Sequence, residues 1–265
     1  MEPGQPGSRG FLPAGVIRRW PFLVLMLSIL PALSCFADAR HFTFVYEATV
    51  AEPGEVEAES WATWQTGKTT EHGFQEIDFR YEIEFGVTNK LQAGLYLADW
   101  TYVSSKESAG FAFSDAALEL IYNIYDPETD PIGLAVYEEI QGGDRLFGSE
   151  SKVIAQKNVG PVIFGYNATL ETVWHGKELA EREAEFQQSI GASYELSRHF
   201  SVGAECVHEV AFPDWSRGEH PVVSGGPNFS IRSGRWWATV TGLIQITQAD
   251  DEPKCQTRAI VGYAF

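Results

Sequence analysis

Basic residues, cysteines and long apolar runs are all scarce in this chain. Only 19 of the 265 residues are Lys or Arg, against 36 Asp or Glu, which gives a formal net charge of −17 at pH 7. No nucleic acid partner is expected, because phosphate binding requires a basic surface. The three cysteines are too few for a disulfide framework. After residue 37 no run of about 18 apolar residues occurs, which argues against a transmembrane helix there.

Aromatic residues, in contrast, are abundant. They make up 13% of the chain, and hydrophobic residues as a whole make up 44%. A disordered acidic chain would be poor in aromatic residues, so disorder is excluded. The composition is typical of many half-buried β-strands. Two fold classes fit it: a soluble all-β domain and a membrane β-barrel.

The first segment has the parts of a secretory signal peptide. Arg18 and Arg19 precede an apolar run over residues 20–30, and small residues follow it. Cys35-Phe36-Ala37 fits the small-x-small cleavage rule, so we predict a signal peptide over residues 1–37. An uncleaved anchor is an alternative, although the run is short for a membrane span. A lipoprotein box ending at Cys35 is another, but it begins with a poorly fitting Ala.

Period-2 alternation is strongest over residues 74–85. The even-numbered positions from Glu76 to Glu84 all carry charged side chains, whereas Ile77, Phe79 and the following odd positions are apolar. This pattern suits a strand between lipid and a wet lumen, although a soluble sandwich also alternates. Segments 162–172, 186–196 and 223–232 repeat the pattern with small or polar inward sets. Such sets favour the inside of a barrel.

Turn residues set the predicted strand number. Short turns are expected near 52–54, 88–90, 126–131, 159–161, 197–199 and 233–235. Longer polar loops are expected at 66–73, 103–112, 142–150, 174–184, 211–220 and 247–254. Alternating short and long connections are typical of outer-membrane barrels, which have even strand numbers.

Thirteen segments can be counted, so we expect that one of them does not span the membrane. We predict an all-β, transmembrane, antiparallel up-and-down β-barrel of about 12 strands over residues 55–265, with 14 strands as the alternative. Residues 38–54 are then expected at the periplasmic rim or inside the lumen.

The chain ends with an alternating segment that carries Ala259, Val261, Tyr263 and Phe265. This end resembles the final-strand signal of bacterial outer-membrane barrels. The resemblance implies that Tyr263 and Phe265 are read by the barrel-assembly machinery during biogenesis, and that the protein lies in the outer membrane in contact with its lipid.

A looser resemblance extends over most of the mature chain. It rests on residues 44–49, on Pro53-Gly54, on the Glu-rich strand ending at Trp61–Trp64 and on residues 133–139. In these segments the chain resembles transporter-like barrels related to the phenol-degradation (MetA-pathway) group. The resemblance implies a barrel with a passive transport role and assigns no substrate.

Charged residues dominate the predicted inner face. The inward positions are Glu57, Glu59, Glu76, Asp78, Arg80, Glu82, Glu84, Glu119, Glu139, Glu171, Glu195, Glu205, Glu209, Arg232 and Arg258. If water fills the barrel, this acidic lining favours cationic or neutral small solutes. Glu–Arg pairs that crosslink a packed lumen remain the alternative. We therefore expect a monomeric passive channel or binding protein, with a structural barrel as the second possibility.

Enzymatic and metal sites are weakly supported. Ser216 with His220 has no lipid-hydrolase motif around it, so no catalytic residue is predicted and a lipid-modifying enzyme is the least favoured function. His208 should face away from Glu205 and Glu209, so no metal site and no cofactor are predicted. The tryptophans are expected in interfacial girdles; these are Trp61, Trp64, Trp100, Trp174, Trp215, Trp236 and Trp237.

Overall fold

The computed structural model describes residues 40–106 and 109–265, and within these residues the chain is an antiparallel β-barrel. The predicted signal peptide lies outside the described residues. The strands are β1 Val56–Thr66, β2 Gln75–Thr88, β3 Leu91–Ser104, β4 Ala109–Phe113, β5 Asp115–Tyr125, β6 Gly133–Gly143, β7 Leu146–Val159, β8 Val162–His175, β9 Glu181–Ser197, β10 Phe200–Pro213, β11 Val222–Ser233, β12 Trp236–Gln245 and β13 Cys255–Ala264.

Pairing of the first and last strands closes the sheet. Val56–Thr66 pairs with both β2 and β13, and every neighbouring pair in the sheet is antiparallel. Strands β4 and β5 both pair with β3 and are separated only at Ser114, so together they form one strand of the wall. The prediction of a closed all-β barrel with 12 wall strands is confirmed.

One predicted loop is wrong and another is shorter than predicted. The stretch 142–150 contains no long loop, because Gly143 pairs with Leu146 and only Asp144 and Arg145 connect β6 to β7. Arg145 has a φ of 58°, the left-handed conformation that two-residue hairpin turns use. The stretch 103–112 contains the end of β3 and most of β4. Most residues of both stretches therefore belong to strands.

The two faces of the wall differ as the alternation predicts. On β9, Ile190 and Leu196 project outward and are 56% and 57% exposed, whereas the neighbouring Ser189 is buried. On β2, Tyr81 is exposed outward and Glu82 is buried inward. No helix within residues 40–106 and 109–265 is long and apolar enough to cross a membrane.

Residues 40–51, here called the N-terminal strap, form no strand and lie against the inner face of the barrel. Phe42 and Ala48 have no exposed surface. Tyr46 and Ala48 pack in a cluster with inward residues of six strands, namely Trp61, Ile121, Ala135, Tyr137, Ile154, Trp237 and Ile260. The strap and these wall residues together thus form a hydrophobic cluster inside the barrel.

Two tryptophans predicted for the interfacial girdle lie inside instead. Trp61 and Trp237 are 3% and 2% exposed. The Trp61 indole N–H donates to Glu59, at 2.7 Å, and that of Trp237 donates to Glu57. Proximity to a strand end suggested a girdle position, but inward carboxylates and the strap supply the partners that these indoles need.

Candidate functional site

The strap is held by a carboxylate at the middle of β10. Glu205 accepts the backbone N–H groups of Thr43, Phe44 and Val45 at 3.0, 2.7 and 3.0 Å. It also accepts from the Asn228 amide at 3.1 Å and from the Thr241 hydroxyl at 2.5 Å. A buried chain outside any sheet must find such partners for its backbone. Glu205 therefore serves as a capping site for the turn at residues 43–45.

Inward amide side chains bind the rest of the strap. Asn167 on β8 accepts the N–H of Tyr46 at 2.6 Å and donates to its carbonyl at 3.0 Å. Gln156 on β7 and Gln92 on β3 accept the N–H groups of Ala48 and Ala51 at 2.7 and 2.8 Å. These amides were missed by the sequence reasoning. Their only signal is an uncharged amide at an inward position of a strand.

Two wall glycines make room for the strap. A Cβ atom at Gly191 would lie 2.6 Å from the Phe42 ring, and one at Gly165 would lie 2.5 Å from Val45 Cγ1. Both positions are inward, and a Cβ atom at either one would overlap the strap side chain that now faces it. Inward glycines at matching heights on β8 and β9 are the second sequence signal for an internal segment.

Arg40 forms the charged anchor at one end of the strap. Its guanidinium binds Glu59 at 3.0 Å and Glu84 at 2.6 Å, so it bridges β1 and β2. The guanidinium also lies 4.8 Å from the ring centroid of Tyr46 and 5.0 Å from that of Trp61. This anchor combines paired charge with aromatic contact.

His41 forms a second charged anchor. Its Nδ1 lies 2.9 Å from Glu47 Oε1 and its Nε2 lies 3.4 Å from Glu195 Oε1. Burial acts to lower the pKa of His41, but Glu47 and Glu195 outweigh it and raise that pKa to about 9. Burial acts to raise the pKa of Glu47, and the charge of His41 reverses this and lowers it. The pair is therefore ionic at neutral pH.

The inward arginines of the wall are also engaged. Arg80 binds Asp99 at 2.6 Å and Glu139 at 2.9 Å. Arg232 binds Glu195 at 2.7 Å. Arg258 donates to Thr63 and to a strap carbonyl, and its guanidinium lies 4.1 Å from the Phe44 ring.

The remaining predicted lumen residues fall into groups according to their position along the barrel axis. Glu82 and Glu119 are fully buried beside Arg40, and Glu57 accepts from Trp237 near the short-turn end. Glu76, Asp78, Glu171 and Glu209 lie nearer the long-loop end and are only partly buried.

An open acidic space lies at the long-loop end of the barrel. Two adjacent cavities of about 460 and 440 Å³ share Glu185, Ala211 and Glu219 in their walls. Further carboxylates line one or the other cavity, namely Glu171, Glu183, Glu209, Asp250, Asp251 and Glu252. We call this space the acidic vestibule. Glu185 and the loop carboxylates were not among the predicted lumen residues.

Another cavity lies at the short-turn end, on the far side of the strap. It measures about 740 Å³ and is bounded by residues 49–53 and the turns at 89–90 and 126–130. A cavity of only about 80 Å³ lies between the strap residues Arg40 and Tyr46 and the wall residues Glu59 and Glu84. The two ends of the barrel thus hold the larger cavities, and only a small one lies beside the strap.

The weak enzymatic and metal candidates are not assembled among the described residues. The Ser216 hydroxyl donates to the nearby carbonyl of Pro213, at 2.6 Å, within its own loop. His208 alternates with Glu205 and Glu209 on β10 and so projects to the opposite face.

Fold and lining together define a β-barrel of the outer-membrane type, with exposed apolar residues on its outer face and many acidic residues on its inner face. The chain belongs to the family described as "Family of unknown function (DUF6662)", whose model matches residues 34–258. No curated protein sequence matches the chain.

Solved outer-membrane barrels share its fold. The COG4313 outer membrane channel from Pseudomonas putida F1 superposes with a TM-score of 0.58 at 9% identity, covering 82% of this chain and 98% of that one. The NanC porin gives a TM-score of 0.54 at 10% identity, covering 78% and 98%. The translocator domain of the autotransporter NalP from Neisseria meningitidis gives 0.51 at 13% identity, covering 80% and 88%.

Proposed function

We propose that this protein is a passive outer-membrane channel for small cationic or neutral solutes, and that the N-terminal strap forms its constriction. The observation that carries the proposal is the shape of the interior. Larger cavities lined by charged and polar side chains lie at opposite ends, and the strap lies between them with only a cavity of about 80 Å³ beside it. The protein would reach the outer membrane through a cleaved signal peptide and act as a monomer.

The charge of the vestibule supports a preference for cations. Glu171, Glu185 and Glu209 lie on neighbouring strands β8, β9 and β10 and face the same space. Lys and Arg side chains are absent from the lining of the two vestibule cavities, as far as the described residues extend. A cleft lined by one sign of charge concentrates ions of the opposite sign. Cations would therefore enter more readily than anions.

Similar barrels support passive transport at the level of fold only. The two highest TM-scores given above belong to proteins described as a channel and a porin. The resemblance of the sequence to the phenol-degradation (MetA-pathway) group stays a prediction and adds no solute.

A structural barrel without a pore is the second candidate. It is favoured by the packing of the strap, whose Phe42 and Ala48 are completely buried. In that case the strap would be a permanent part of the core, and the vestibule would be a surface cavity that does not lead through the barrel.

The ion selectivity of the refolded full chain tests the channel proposal. We expect a reversal potential across a KCl gradient that indicates preference for K⁺ over Cl⁻, weakening at high salt as the charges are screened. Replacing Glu171, Glu185 and Glu209 by Gln should reduce this preference. Glu138→Gln is the matched control, because Glu138 lies on the outer face and accepts from Ser149 and Ser151. Anion preference would contradict the proposal, and folded protein without conductance would leave the structural barrel.

A further inference from the structure

Four buried glutamates converge on one point of the inner wall. Glu59, Glu82 and Glu84 each offer a carboxylate oxygen within 4.8 Å of the others. Glu119 approaches the same point from β5. We call these four residues the glutamate cluster; their exposed fractions are 4%, 1%, 7% and 0%.

A glycine between the strands brings the fourth carboxylate close. Gly94 on β3 pairs with Glu84 on one side and with Glu119 on the other. A Cβ atom at Gly94 would contact Glu82 Oε1 and lie 3.3 Å from Glu119 Oε1. The space that a side chain would fill is therefore used by two carboxylates. The sequence does not indicate that Glu82 and Glu119 approach each other, because their strands, β2 and β5, lie on opposite sides of β3.

The cluster contains oxygens that lack partners. Among the described residues, three of these oxygens have no hydrogen-bond donor. They are both carboxylate oxygens of Glu82 and Oε1 of Glu119. Oε2 of Glu119 accepts from the Tyr96 hydroxyl at 2.8 Å. An isolated buried carboxylate is costly unless a charge compensates it.

Arg40 compensates only part of the charge. Its guanidinium pairs with Glu59 and Glu84, and none of the described ion pairs reaches Glu82 or Glu119. Arg80, the inward arginine of β2, is bound to Asp99 and Glu139. One guanidinium therefore faces four carboxylates, and the excess is centred on the two residues whose oxygens lack donors.

We propose that the glutamate cluster binds a divalent cation of the Ca²⁺ class, with Glu82 and Glu119 as its principal ligands. The donor set consists only of carboxylate oxygens, which hard cations prefer. Ca²⁺–oxygen distances are about 2.3–2.6 Å, so two ligand oxygens on opposite sides of one ion are about 5 Å apart. Glu59, Glu82 and Glu84 each place one carboxylate oxygen within 4.8 Å of the other two, which does not exceed that separation.

The ion would also strengthen the strap anchor. Glu59 and Glu84 would lie between the cation and Arg40, and each would keep its orientation by binding both. The proposal does not depend on conduction, because a barrel without a pore would present the same four carboxylates.

Terbium luminescence tests the site directly in the refolded full chain in detergent. Tb³⁺ takes the same oxygen ligands as Ca²⁺, and Trp61 and Tyr96 are near enough to transfer excitation, since both donate hydrogen bonds to cluster members. We expect emission that saturates with Tb³⁺ and is lost when Ca²⁺ displaces the bound Tb³⁺. In the double variant Glu82→Gln/Glu119→Gln, the affinity for Tb³⁺ should fall at least tenfold. The control Glu138→Gln removes a carboxylate on the outer face and should leave the emission unchanged.

Wild-type protein without saturable emission would overturn the proposal, as would emission that survives the double variant or is lost equally in the Glu138→Gln control. Should the double variant fail to fold, the unfolding temperature of the wild type decides. It should rise with Ca²⁺ and fall with a chelator if the site exists, and an unchanged value would contradict the site. Conductance does not enter any of these outcomes, so the channel proposal stands or falls separately.

Discussion

Glu205 accepts the backbone N–H of Phe44 at 2.7 Å, across 161 residues of sequence. This bond joins the middle of the wall to the turn of the strap, and two neighbouring N–H groups donate to the same carboxylate. Hydrogen bonds to a charged group contribute roughly 1.5–3 kcal/mol each. Glu205 is accordingly the residue on which retention of the strap depends most.

Glu205→Gln should loosen the strap without unfolding the barrel. The amide has only one acceptor oxygen and no charge, so we expect the fraction of displaced strap to rise at least tenfold. The measurement is the rate of maleimide labelling of Val45→Cys in the refolded protein. Glu209→Gln, on the same strand and face four residues further, is the control and should label at the wild-type rate. Equal rates in all three proteins would contradict this role of Glu205.

Retention of the strap should depend on pH through His41. Its pKa is raised from an ordinary 6.5 to about 9. The ionic contribution is therefore complete below about pH 6.5 and is lost as pH rises through 9. At about 1.4 kcal/mol per pKa unit it amounts to roughly 3 kcal/mol at most.

Labelling of Val45→Cys, corrected for the reactivity of a free thiol, should therefore increase between pH 6.5 and 9. The lowered pKa of Glu47 adds a second loss on the acid side, below its ordinary 4.5. In His41→Gln the increase between pH 6.5 and 9 should disappear. An identical pH profile in that variant would exclude His41 as the titrating group.

The outer face should show a depth-dependent cost for charge. Ile190 lies at the middle of β9 and Leu196 near its end, and the two are equally exposed. Arg at the bilayer midplane costs about 2–4 kcal/mol and about 0–1 near an interface. Ile190→Arg should therefore lower the free energy of unfolding in lipid by about 2–4 kcal/mol, and Leu196→Arg by much less. Equal costs at the two positions would contradict the orientation of β9.

Assembly should depend on the aromatic end of the chain. The backbone N–H of Phe265 donates to Val56 at 2.9 Å, and its ring lies 5.1 Å from that of Tyr263. Phe265→Asp should reduce the yield of heat-modifiable barrel in the membrane while export continues. Phe265→Tyr keeps the ring and serves as the control. Wild-type yield in Phe265→Asp would mean that the assembly machinery reads another feature.

Local periodicity predicts the wall of this barrel well and its contents poorly. The alternation around Tyr81 and Glu82 determines which side chain faces inward, because the period of a strand is a property of neighbouring residues. Trp61 and Trp237 were misplaced because nothing local distinguishes an interfacial indole from one that donates to a lumen carboxylate.

The strap and the glutamate cluster depend on residues that only closure of the sheet brings together. Asn167 and Gly165 on β8 are complementary to a segment about 120 residues earlier in the chain. Glu82 and Glu119 meet across Gly94 because β3 lies between their strands. Such contacts follow from strand order and register, which a single sequence does not specify.

A reversible disulfide bond between the strap and the wall tests most directly whether the strap is the constriction. A Cβ atom at Gly165 would lie 3.8 Å from Val45 Cβ, the usual separation in a disulfide of about 3.8 Å. Val45→Cys and Gly165→Cys can therefore be combined with Glu205→Gln in a protein whose native cysteines are Ser. Single-channel conductance is measured in planar bilayers before and after reduction. We expect low conductance with the disulfide closed and a reversible increase on reduction, whereas the same conductance in both states would contradict the account.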